Sequence, residues 1–190
     1  MKKTIIICFW LLIITLVFPV FSSGKMVTKF KDKSGVLVIS SGGFGHNQND
    51  DIEAAVVKRC PKADMVSVAP WDAYKIDLLP VIEAYGQNKK IVLIGHSFGC
   101  DSAIHTSFRM KHVDLLVLID PVSTKWGDLP FPCNAVRILA YKRSIAIGPP
   151  VAKIDGLNIQ NITGGHNDLP HDPLVIDPVI ALINELSGSD

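Results

Sequence analysis

Short apolar runs alternate with amphipathic segments along most of the chain. Residues 35–40 (GVLVIS) form a β-branched run that ends in a polar, glycine-rich stretch, SGGFGHNQND. This predicts a buried strand followed by a loop. Residues 51–60 (DIEAAVVKRC) repeat their apolar positions at helical spacing, with Asn49 or Asp50 as the expected cap. Residues 63–70 (ADMVSVAP) predict a second strand, closed by Pro70, and 76–88 (IDLLPVIEAYGQN) a helix that Pro80 either kinks or starts late. A third strand is expected at 90–95 (KIVLIG), and a helix at 102–110 (SAIHTSFRM). Residues 113–121 (VDLLVLIDP) are almost uniformly apolar, as befits a central parallel strand covered on both faces. Strands at 135–142 (AVRILAYK) and 156–163 (GLNIQNIT) follow, and 173–188 (PLVIDPVIALINELSG) predicts a closing helix with Pro173 near its first turn. Residues 121–134 (PVSTKWGDLPFPCN) form the longest irregular insertion.

Strands and helices that alternate in this way argue for an α/β fold, a parallel sheet layered between helices. At 190 residues the chain suits one domain, here residues 35–190, and no internal repeat or long linker interrupts it.

The N-terminus has a different character. Lys2 and Lys3 precede TIIICFWLLIITLVFPVF, and no charge occurs from Thr4 to Gly24. A basic start, an apolar run and small residues (SSG) read as a signal peptide over residues 1–24, with cleavage after Gly24. The run also approaches the length of an uncleaved membrane anchor. Residues 25–34 read as a polar stub. An exported location, secreted or periplasmic, follows from the leader, and membrane contact is expected only through it if it stays attached.

Composition narrows the picture further. The formal net charge is +1, and loss of Lys2 and Lys3 with the leader takes it to −1. With no run of basic residues, nothing marks a nucleic-acid surface. Of four cysteines, Cys8 would leave with the leader, so Cys60, Cys100 and Cys133 allow at most one internal disulfide. None has metal-ligand spacing, and Cys100 reads as a small packed residue.

The chemistry concentrates at Gly95-His96-Ser97-Phe98-Gly99, a G-x-S-x-G motif directly after an apolar strand and before a helix. In that context the serine sits in a strained turn, the flanking glycines let strand and helix approach, and the hydroxyl projects above the sheet edge near a helix N-terminus.

These residues, together with VLVISSGGFGHN, LLVLIDPV and ITGGHNDLP, resemble the α/β-hydrolase superfamily, in particular its small lipase- and esterase-like serine hydrolases. The resemblance spans residue 35 to the C-terminus, and the segments fall in the superfamily's order. It implies a three-layer fold with a mainly parallel sheet of about six strands, no large cap domain and none of the N-terminal antiparallel strands of larger members. It also implies Ser97 as nucleophile and a histidine base that reaches it from a loop. Of six histidines, His166 lies after the last strand and before the last helix, where such enzymes carry the base, and Gly164 and Gly165 let its loop bend. His96 sits inside the elbow and should point away from the hydroxyl, whereas His46 could line the site. The acid is commonly found after the strand two beyond the nucleophile strand. Here that stretch, KRSIAIGPP, has no carboxylate, so Asp120, at the end of the preceding strand, is preferred, with Asp168 and Asp155 in reserve. Backbone N–H groups of Phe98 and of Gly43 or Phe44 are expected to form the oxyanion hole. Trp71, Tyr74, Trp126, Leu129 and Phe131 either line an acyl pocket or pack surface loops.

The implied activity is hydrolysis of carboxylic esters on a small-molecule or lipid-like substrate, through a Ser-His-Asp triad, with no metal or organic cofactor. A thioesterase on the same fold and a non-catalytic exported binding protein are the alternatives.

Overall fold

The computed structural model describes residues 27–29, 35–43, 49–68, 77–122, 134–144 and 157–188. The leader, the loop residues Phe44 and His46, the pocket candidates Trp71, Tyr74, Trp126, Leu129 and Phe131, and Asp155 lie outside the described residues.

Seven strands among them form one sheet: β1 (Val27–Lys29), β2 (Gly35–Ser41), β3 (Ala63–Val68), β4 (Lys89–His96), β5 (Val113–Ile119), β6 (Ala135–Arg143) and β7 (Gln160–Ile162), in the order β1-β3-β2-β4-β5-β6-β7. Strands β2 to β7 pair in parallel. That matches the expected mainly parallel sheet of about six strands. A seventh strand was not expected, and the expectation of no N-terminal antiparallel strand is corrected, because the outer edge of β3 is open to pairing. Residues Val27–Lys29, within the stretch read as a polar stub, pair antiparallel with β3 at the sheet edge.

Each helix follows from its sequence. Helix α1 (Asp50–Arg59) places Ile52 and Val56, one turn apart, in the core. Helix α2 (Leu79–Tyr85) is shorter than its pattern because Pro80 occupies its first turn and so marks a late start rather than a kink. Helix α3 (Gly99–Arg109) begins three residues before the periodic run, directly out of the elbow. Helix α4 (Pro173–Gly188) has the bounds the sequence predicts.

Alternation along the strands sorts the core into two layers. Val36, Val38, Val92, Ile94, Leu115 and Val117 face α1 and α4. Leu37, Ile39, Leu93, Leu116 and Leu118 face α2 and α3. Both faces of β2, β4 and β5 are buried, which is why these strands read as continuous apolar runs. The sheet's C-terminal edge then carries the ends of β2, β4, β5, β6 and β7 together, and the candidate site residues are gathered there.

Candidate active site

The elbow joins β4 to α3 through Ser97, whose φ of +56° lies in the left-handed region. A non-glycine residue there costs on the order of 1–2 kcal/mol, so the surroundings must hold it. They do so by close packing. A Cβ on Gly95 would lie 2.6 Å from Cys100 Cα, and one on Gly99 would lie 2.1 Å from the Ser41 carbonyl oxygen. Only glycine lets α3 start so near the ends of β4 and β2. The Ser97 N–H donates to the Ile119 carbonyl (2.9 Å), tying the turn to β5.

His166 occupies the loop after β7. Gly164 takes a φ of +145°, and the Gly165 N–H donates to Asp168 Oδ2 at 2.7 Å. Asp168 thus braces the loop that carries His166. From this loop His166 Nε2 lies 2.9 Å from Ser97 Oγ, and its Nδ1 lies 2.5 Å from Asp120 Oδ2. With Asp120 ionised, Nδ1 carries the proton and Nε2 presents a lone pair to the serine hydroxyl.

Asp120 follows β5, is fully buried, and adopts a φ of +44°. Its own N–H donates to the Tyr141 carbonyl (2.8 Å). Burial acts to raise its pKa. Hydrogen bonds from His166 and the Arg143 backbone, with the Arg143 charge, outweigh burial and hold the carboxyl below the ordinary 3.8.

His96 is completely buried and packs its ring against His166. Its Nε2 donates to the His166 carbonyl oxygen at 3.0 Å, and the two rings lie 4.8 Å apart at 33°. Burial, reinforced by the neighbouring His166, pushes its pKa from 6.5 down to about 4. His96 therefore remains a neutral brace under His166.

The end of β2 flanks Ser97 on another side. A Cβ on Gly43 would lie 2.8 Å from Ser97 Cβ and 3.2 Å from its Oγ, so this backbone presses directly on the serine. Asn49, at the head of α1, makes no side-chain capping bond. Its amide instead donates to Ser40 Oγ (2.8 Å) and the Ser41 carbonyl (3.3 Å), fixing the strand end beneath the loop. Phe98 follows the serine and heads α3, where backbone amides and the helix dipole favour negative charge. Ser97, His166, Asp120, Gly43 and Phe98 thus converge, whereas Phe44 lies outside the described residues.

Sequence reasoning missed Arg143. Its guanidinium donates from Nη1 to Asp120 Oδ2, its backbone N–H donates to Asp120 Oδ1 (3.1 Å), and its Nη1 lies 3.0 Å from His166 Nδ1. The available signal was a cation at the end of β6, the strand next to that of Asp120.

No family model and no curated protein matches the sequence. Solved structures do match in fold. Esterase PE8 superimposes with a TM-score of 0.60 at 14% identity, over 86% of this chain and 98% of its own. A candidate hydrolase of the alpha/beta superfamily from Xanthomonas campestris pv. campestris gives 0.55 at 17% identity, over 80% and 97%. The thioesterase domain that cyclises the lipopeptide antibiotic surfactin gives 0.53 at 10% identity, over 88% and 100%. The chain has the α/β-hydrolase fold.

Proposed function

We propose that the protein is a serine hydrolase that cleaves carboxylic esters through an acyl-enzyme. The reading rests on one observation, the unbroken line from Ser97 Oγ to His166 Nε2 (2.9 Å) and from His166 Nδ1 to Asp120 Oδ2 (2.5 Å). Ser97 attacks the substrate carbonyl carbon while His166 Nε2 takes the hydroxyl proton. Asp120 keeps the imidazole in the productive tautomer and stabilises the imidazolium. Backbone N–H groups of Phe98 and of the Gly43 loop stabilise the oxyanion. The imidazolium then protonates the departing alcohol oxygen as the ester C–O bond breaks. Water attacks the acyl-enzyme, His166 takes its proton, and the carboxylic acid leaves as Ser97 recovers its hydrogen. The leader adds the proposal that this chemistry takes place outside the cytoplasm.

The test is hydrolysis of nitrophenyl esters of graded acyl length by the full chain. Turnover that vanishes in Ser97→Ala and falls by about 10⁴-fold in Asp120→Asn is expected. A folded protein that hydrolyses none of the series, or a Ser97→Ala variant as active as the parent, overturns the reading.

A further inference from the structure

We propose that Arg143 is a positioning residue for the ester-cleaving site, a clamp that holds both carboxylate oxygens of Asp120 against His166. This rests on the serine-hydrolase reading above. The observation behind it is geometric. One residue serves the two oxygens by two routes, its backbone N–H reaching Oδ1 at 3.1 Å and its guanidinium reaching Oδ2, the same oxygen that His166 Nδ1 approaches at 2.5 Å. The arginine side chain is 3% exposed and the aspartate side chain 0%. A carboxylate so buried stays ionised only with compensating donors and charge, and a geometry this enclosed makes the pair directional.

The sheet explains why the clamp comes from this position. In the parallel register of β5 and β6, Ile119 pairs with Tyr141; Asp120 lies one residue past Ile119 and Arg143 two past Tyr141, and the two meet at the sheet edge. On its other side Arg143 pairs with Ile162 of β7, the strand that leads into the His166 loop. Arg143 thus stands between the acid and the base, at the end of a strand that carries no carboxylate. Asp120 stands in the left-handed region, a conformation its surroundings must hold, and the grip on both oxygens adds to the hold of its N–H on the Tyr141 carbonyl. The 3.0 Å approach of Nη1 to His166 Nδ1 is a hydrogen bond only when Nδ1 is bare. With Nδ1 protonated toward Asp120, the guanidinium serves the carboxylate alone.

Steady-state kinetics of Arg143→Met and Arg143→Lys in the full chain, each made also with Asp120→Asn, tests the clamp. Arg143→Met is expected to lower kcat by about 10–100-fold, the usual cost of removing a group that orients a reacting one, with KM within about twofold. Arg143→Lys, which keeps a cationic donor, should lose less than Arg143→Met. In the Asp120→Asn background, Arg143→Met should cost less than about twofold, because the charge it serves is gone. Circular dichroism confirms that each variant is folded before its rate is read, and Arg143→Lys stands in should Arg143→Met fail to fold. An unchanged kcat in a folded Arg143→Met, a loss confined to KM, or an equal loss in both backgrounds overturns the clamp while leaving the hydrolase reading intact. A parent that turns over no ester instead refutes the hydrolase reading itself.

Discussion

Lowering the pH from neutral to about 4 should weaken the fold through a single buried ring, His96. Its Nε2 is engaged with the His166 carbonyl, and its Nδ1 is buried with no hydrogen-bond partner among the described residues. A proton added at Nδ1 would therefore enter a buried site with no acceptor among the described residues, beside a second imidazole. These causes put the folded-state pKa at about 4 against 6.5 in the unfolded chain. Between those values the unfolded chain binds more protons than the folded one, so stability falls as pH falls. The loss begins near pH 6.5, is complete below about 4, and amounts to ~3 kcal/mol, a sizeable part of an ordinary domain's stability. Asp120 acts in a lower window. Its pKa is depressed, so its contribution is complete above 3.8 and disappears only below it. Urea unfolding across this pH range, on the parent and on His96→Gln, isolates the effect, since glutamine can donate to the His166 carbonyl but does not titrate. The parent should lose ~3 kcal/mol more than the variant. Parallel losses in the two proteins would refute the reasoning.

Gly43→Ala should lower kcat by about 10²–10³-fold with a small change in melting temperature. Its Cβ would lie 2.8 Å from Ser97 Cβ, and the loop must retreat with its N–H; ester hydrolysis beside a thermal melt checks this. Asp168→Ala should reduce kcat without abolishing fluorophosphonate labelling, because the Gly165 N–H loses its brace at 2.7 Å while Asp120 still orients His166; an unchanged kcat would count against loop bracing. Leu116→Ala, at a fully buried position between β5 and the α2–α3 layer, should cost ~2–5 kcal/mol in urea unfolding with catalysis per folded molecule preserved.

The central strands were legible because burial on both faces leaves a continuous apolar run that local sequence reveals, as in β2, β4 and β5. Strand β1 was not, since its three residues lie in KMVTKFKDK and owe their structure to pairing with β3 at the edge. The onset of α3 was read late because Gly99 and Cys100 lack helical periodicity, and they enter the helix only as the elbow feeds it. Asn49 or Asp50 was expected to cap α1, and Asn49 does stand at the head of that helix. Its side chain is drawn instead to the end of β2, a contact between elements that local reading cannot foresee. At the candidate site, the turn at Ser97 was legible from its flanking glycines, while His166 and Asp120 were chosen through the resemblance, which puts a histidine before the last helix and, with no carboxylate after β6, leaves the end of β5 for the acid. Arg143 lies in that same carboxylate-free stretch. A charged residue at a strand end ordinarily faces water. That this one turns inward depends on the parallel register of β5 with β6, which brings residues 23 positions apart into contact.

Reaction of the full chain with a fluorophosphonate probe, followed by peptide mapping, tests the central claim most directly. The account predicts a single adduct on Ser97, absent in Ser97→Ala and formed much more slowly in His166→Gln. A folded protein that takes no label, or one labelled elsewhere with Ser97 untouched, would contradict it.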